Sequence, residues 1–145
     1  MKIQDRVLIK LDSMNTYLNE LEEMLPQNED DFLSNLTIRR ACQKTIENAI
    51  EEVIDILSIL VSSLKLGLPE SEDDIVHIAE KNKIIDKETA LKVKNMKGFR
   101  NILVHKYGEI DDSQTYEFLS HEIDDFQNFE TAINSYLKKY QKIKK

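Results

Sequence analysis

Cysteine, proline, glycine and tryptophan are all scarce in this chain, and each scarcity removes a class of protein. The lone Cys42 excludes an intrachain disulfide and any cysteine-built zinc site, and a reducing cytoplasm is the compartment it fits. With two Pro, three Gly and no Trp beside abundant Leu, Ile, Lys and Glu, the composition predicts an all-α protein. No apolar run approaches the ~18 residues of a membrane span, so no membrane partner is expected. The opening MKIQDRVLIKLDSM breaks with charges the apolar core that a signal peptide needs. There is no Gly-rich phosphate loop, which argues against P-loop hydrolysis of nucleoside triphosphates. His77, His105 and His121 share no ligand spacing and no HExxH run exists, so neither metal nor cofactor is expected. Positive charge is also short. A net charge of −7 argues against a general nucleic-acid coat protein but leaves room for an enzyme with a small, locally basic cleft.

What is present is helical periodicity. At 145 residues the chain is expected to form one domain, residues 1–145, with a real core. Ile3, Val7, Leu11, Met14, Leu18, Leu21 and Leu25 recur at steps of three and four, which predicts a helix over 2–25 ended by Pro26. A longer helix is expected from Phe32 or Leu36 to Leu66, with a short first piece allowed for. Its apolar positions, from Ile46 to Leu64, cover more than one side, which makes it the central helix, and Gly67 with Pro69 supplies its stop. Ser71 and Asp74 form a variant capping box ahead of a short helix to about Asn82. Asp86 caps a helix running to Gly108. Asp112 caps the last one, striped by Tyr116, Leu119, Ile123, Phe126, Phe129, Ile133 and Leu137. The predicted architecture is an antiparallel four-helix bundle with additional short helices. Lysines in the tail KKYQKIKK suit a helix C-terminus.

The stretch GFRNILVHKYGEID, 98–111, stands out. On a helical wheel Met96, Phe99, Ile102 and Leu103 gather as the expected core face, while Arg100 and His105 take the shoulders of the opposite face, with Asn101 and Val104 between them. An apolar Val104 on that face points to a cleft or a subunit interface. An arginine and a histidine converging on one cleft suit phosphodiester chemistry. The guanidinium stays protonated and can hold a phosphate by two parallel hydrogen bonds. Imidazole can pass a proton to or from an oxygen near neutral pH. In RNA the neighbouring 2′-hydroxyl already supplies the nucleophile, so a metal is not strictly required. Spacing alone is compatible with an ordinary packing helix as well.

Arg100, Asn101, His105 and Tyr107 together resemble the R-x4-H-x-Y signature of HepT toxins in the HEPN superfamily. RRACQKTIENAIEEVIDIL at 39–57, GLP at 67–69, FRNILVHKYGEID at 99–111 and TYEFL at 115–119 follow that family's order of features over nearly the whole chain. Gly108 stands where an aromatic residue is frequent. The resemblance implies an all-helical homodimer that cleaves RNA without metal at a composite cleft. Arg100 would bind the scissile phosphate and His105 would act as acid or base. Asn101 matches the polar residue after the arginine. Tyr107 would be modified with AMP by a cognate MntA-like nucleotidyltransferase antitoxin, which puts negative charge and bulk where RNA must sit.

Other residues keep two readings. Glu47, Glu51 and Asp55 form an acidic stripe that either orients Arg100 or tunes His105, or else lines a solvated or interface surface. Arg39 and Arg40 either add positive charge to the cleft or pair with Glu47 or another acid on a helix surface. Cys42 reads as a small core filler. The competing functional class is a non-catalytic helical partner subunit that binds a nucleotidyltransferase or a nucleotide. A plain dimeric scaffold would instead have Arg100 and His105 buried, ion-paired or far from any cleft.

Overall fold

The computed structural model of the chain describes residues 1–105 and 111–144. Seven helices are defined among them: α1 (Ile3–Met24), α2 (Glu29–Leu33), α3 (Leu36–Ser63), α4 (Glu72–Lys81), α5 (Lys87–His105), α6 (Asp112–His121) and α7 (Asp124–Lys144). The long helices α1, α3, α5 and α7 form the bundle, and α2, α4 and α6 are the short additions. The all-α class is therefore as expected. No strand occurs among the described residues, and no helix among them is long and apolar enough to cross a membrane.

Helix α3 is central because its apolar residues face several directions at once. It packs against α1, α2, α4, α5 and α6, and it buries Ile46, Ala49, Ile50, Val53, Ile56, Leu57 and Leu60 completely. The stripe foreseen in the first helix is the one α1 buries, through Val7, Leu11, Met14 and Leu21. Phe126, Phe129 and Ile133 carry α7 into the same core.

Helix ends differ from expectation in two places. The stop after α3 comes from Lys65, not from Gly67 and Pro69. Lys65 adopts φ 55°, and the amide of Leu66 reaches the Val61 carbonyl at 3.0 Å while that of Lys65 reaches Ser62 at 3.2 Å. This is a Schellman closure, which satisfies the last carbonyls of the helix. Lys83, at φ 61°, closes α4 in the same way, with Ile84 donating to Ala79 at 2.9 Å. The cap of α6 is Asp111, which accepts from the Gln114 amide at 3.0 Å; Asp112 is one residue too far along and turns to α3 instead. Ser71 and Asp86 cap as expected, accepting from Asp74 at 3.1 Å and Thr89 at 2.7 Å. Asp74 returns its bond to the Glu70 amide at 3.0 Å, one residue earlier than in a standard capping box.

The single last helix foreseen from Asp112 is broken into α6 and α7. Around Glu122 the amides of Asp125 and Phe126 reach back only three residues, to Glu122 and Ile123, both at 3.1 Å. No Pro or Gly marks the break. Tertiary anchors hold α6 on its own course: Phe118 stacks on Phe99 with centroids 3.9 Å apart, and the Tyr116 hydroxyl donates to the Pro26 carbonyl at 2.8 Å.

Candidate active site

Helix α5 is positioned by an inward line of Ala90, Val93 and Met96, each about fully buried. Continued by one turn at helical spacing, that line arrives at Arg100, which is only 9 % exposed. The wheel placed Arg100 on the outer shoulder and Ile102 in the core. The structure reverses them, for Ile102 is 49 % exposed. Phe99, Ile102 and Leu103 suggest one apolar face by themselves, whereas Ala90 and Val93, earlier in the helix, fix which side of α5 meets α3, α4 and α7. Phe99 and Leu103 do pack against the core from its edge.

An arginine in a core line needs a partner, because an unpaired buried cation is costly. Glu72, the first residue of α4, supplies it. The Arg100 Nη1 donates to Glu72 Oε2 at 3.1 Å and Nη2 donates to Glu72 Oε1, a bidentate fork. Nη2 also donates to the Asn101 side-chain oxygen at 3.1 Å. One residue on, Asp73 accepts from Lys97 Nζ at 2.8 Å, so the first turn of α4 is fastened to α5 by two adjacent ion pairs. The Glu72 hydrogen bonds, helped by attraction to Glu72, Glu51 and Glu47 and opposed by burial, raise the guanidinium pKa and keep Arg100 charged. The Lys97 hydrogen bond likewise holds Asp73 below the usual carboxylate range.

The acidic stripe on α3 therefore divides. Glu47 and Glu51 lie close enough to act on Arg100 by charge, although Glu47 also accepts from Lys44 at 3.3 Å. Asp55 faces α1, where it accepts from Lys10 at 3.1 Å, with Glu52 beside it at 3.5 Å from the same ammonium. Arg40 donates to the Gln43 side chain at 3.1 Å. Gln43 in turn donates to Asp112 at 3.2 Å, and Arg39 Nε lies 3.3 Å from the other Asp112 oxygen. This network ties the start of α6, just beyond the motif, to the start of α3. His105 is the last residue of α5, one turn beyond Asn101. The side chains of Val104 and His105, and all of Tyr107 and Gly108, lie outside the described residues. Glu72 is the neighbour of Arg100 that sequence reasoning missed. The signal for it was present, since an acid at the first position of a capped helix is commonplace, but nothing in the sequence tied it to Arg100.

Away from this site His77 is exposed, and His121 lies 3.6 Å from Glu117 on the α6 surface. No group of His, Cys, Asp and Glu among the described residues could hold a metal ion. Cys42 is fully buried, and burial pushes its thiol up to about 11.

Among the described residues, α1, α2, α4, α5 and α6 pack on a central α3, and α7 packs on α5. With Arg100 and Asn101 near the end of α5, this is an all-α bundle of HEPN type. The fold matches a tri-AMPylated HEPN toxin of Shewanella oneidensis solved in complex with an MNT antitoxin, at TM-score 0.84 and 23% identity over 93% of this chain and 99% of that one. It also matches YutE, a cytosolic Bacillus subtilis protein of unknown function, at TM-score 0.79 and 20% identity over 94% and 92%. The family model for HepT-like ribonucleases matches residues 14–133, and the chain belongs to that family. Among its relatives are the tRNA nuclease HepT of Aphanizomenon flos-aquae, 27% identical over 88% of this chain and 87% of the relative, and the mRNA nuclease HepT of Shewanella oneidensis, 23% identical over 92% and 99%.

Proposed function

We propose that this protein is an endoribonuclease toxin that cleaves RNA without metal in a homodimer and is silenced by AMPylation of Tyr107. The observation that carries the reading is the family match over 14–133, which spans Arg100 and His105 with their spacing intact. Arg100 holds the scissile phosphate and offsets the charge that builds on it in the transition state. His105 takes the 2′-hydroxyl proton or gives one to the departing 5′-oxygen. The 2′-oxygen attacks phosphorus as the 5′-oxygen leaves, so the products carry a 2′,3′-cyclic phosphate and a 5′-hydroxyl. Asn101 steadies the arginine. Glu51 lends charge to the site, whereas the contacts of Asp55 and Arg40 favour structural work.

The outward face of α5 supports the homodimer. Leu91, 59 % exposed, and Ile102, 49 % exposed, lie on a line with Asn95 and Gly98. Among the described residues nothing lies within 4 Å of where a Cβ on Gly98 would be, so none of them requires glycine there. A second copy of α5 crossing at Gly98 would bring two motifs together. The partner that modifies Tyr107 is an MntA-like nucleotidyltransferase, in keeping with the complex formed by the Shewanella toxin. The tyrosine oxygen attacks the α-phosphate of ATP, and pyrophosphate departs.

Purified wild type, Arg100→Ala and His105→Ala are incubated with total RNA in excess EDTA. Cleavage by wild type alone, leaving cyclic phosphate ends, is the expected result. Equal behaviour of three folded proteins would sink the reading. Incubation with antitoxin and ATP should add the mass of AMP to wild type but not to Tyr107→Phe. The second reading is a plain dimeric scaffold. The bidentate Arg100–Glu72 pair favours it, because a buried, ion-paired arginine can serve packing alone, and it predicts no RNA loss from any of the three proteins.

A further inference from the structure

Arg100 has five N–H donors, and in the free chain three of them are committed, two to Glu72 and one to Asn101. Glu72 takes the Nη1–Nη2 edge and Asn101 takes a further donor of Nη2, so in the free chain no edge of the guanidinium offers a phosphate two free parallel donors. A phosphate seated on the Nη1–Nη2 edge must replace Glu72 there. Of the two partners Glu72 is the one free to leave, since its side chain is 36 % exposed against 11 % for Arg100. It also has somewhere to go: at the first position of α4, beyond the Ser71 cap, a released carboxylate stays in solvent near the positive end of the helix. Asp73 keeps α4 on α5 through Lys97 while Glu72 moves. Glu47 and Glu51 continue to balance the guanidinium charge.

We propose that Glu72 is a built-in competitor of the substrate: its carboxylate occupies the Arg100 fork in the free chain and must be displaced by the RNA phosphate, so it sets the affinity of the site. This rests on the reading of Arg100 as the phosphate-binding group. Glu72 is then neither acid nor base in the reaction. It acts on binding and leaves the chemical step alone.

The test measures binding of a fluorescein-labelled 2′-O-methyl oligoribonucleotide, which can be bound but not cut, by anisotropy at fixed low salt. Four full-length chains are compared: wild type, Glu72→Gln, Arg100→Ala and the double variant. Glu72→Gln should bind about tenfold tighter than wild type, because a charge-assisted competitor becomes a neutral one. The gain should vanish in the double variant. On cleavable RNA the same substitution should lower KM and leave kcat unchanged, a split that a merely structural role does not produce. Equal or weaker binding by Glu72→Gln, with Arg100→Ala still impaired, overturns the proposal and spares the reading of Arg100. Undiminished binding by Arg100→Ala overturns both. Thermal melts check that each variant is folded. If Glu72→Gln is not, Glu72→Asp takes its place, one methylene too short to span the fork, with the same outcomes deciding.

Discussion

Replacing Arg100 by Met should separate stability from activity. The aliphatic stem of Arg100 continues the buried line of Ala90, Val93 and Met96, and methionine fills that path with a side chain of similar reach. What is lost is the fork to Glu72. A fully buried pair broken on one side costs about 3–5 kcal/mol, and an exposed pair is worth ~0–1 kcal/mol. With Glu72 about one-third exposed, the loss lies nearer the lower figure, at roughly 1 to 2 kcal/mol. Against it stands the relief of removing a cation from a core position, of similar size. The net change should stay within about 1 kcal/mol, or ~2–4 °C in Tm for a chain of this size. Arg100→Ala also forfeits the stem, about 2 kcal/mol at ~0.8 kcal/mol per methylene, and should melt some 4–8 °C lower. Both variants should lose RNA cleavage by on the order of a hundredfold or more, the usual cost of removing a group that stabilises transition-state charge. Calorimetry beside a cleavage assay decides. A fall of more than about 8 °C for Arg100→Met would make the arginine a structural keystone, as the scaffold reading requires. Retained cleavage by Arg100→Met would refute its role in holding phosphate.

Lys65→Gly and Lys83→Gly should each hold or raise stability by up to about 1 kcal/mol, since relief of a left-handed residue outweighs the added freedom of the unfolded chain, whereas Lys65→Val should destabilise in urea melts. Gly98→Ala should stabilise a lone chain by about 0.5–1 kcal/mol. In a dimer crossing at that point, Gly98→Gln should instead shift the mass measured by light scattering towards monomer. The Cys42 thiol is raised from 9.0 to about 11 by burial, so the folded chain holds its proton where the unfolded chain releases it. Stability from that source is fully present below pH ~9 and falls as pH rises towards ~11, and Cys42→Ala should flatten the fall in pH-dependent melts.

Periodicity made the stripe of α1 and the central place of α3 legible, because each helix buries a face repeated over many turns. Side-chain oxygens made Ser71 and Asp86 legible as caps, because a cap acts on amides two or three residues away. Lys65 was hidden because a left-handed lysine leaves no compositional mark, and the nearby Gly67 and Pro69 drew the stop towards themselves. The break before α7 was hidden because it answers to Phe99 and Pro26, distant in sequence from Phe118 and Tyr116. Asp112 was misread as a cap for a similar reason, its partners Arg39 and Gln43 lying far back on α3.

At the motif the division is sharper. The sequence alone determined that an arginine, an asparagine and a histidine stand at fixed spacing on one helix, since residue identity and helical pitch require nothing further. Which way that helix faces is a property of its neighbours. Only the packing of α5 on α3, α4 and α7 decided that Arg100 points inward and Ile102 outward. Only the meeting of two segments 28 residues apart decided that Glu72 would hold its guanidinium. A charge in a core line must find its counter-charge in space, and the sequence does not record who stands opposite.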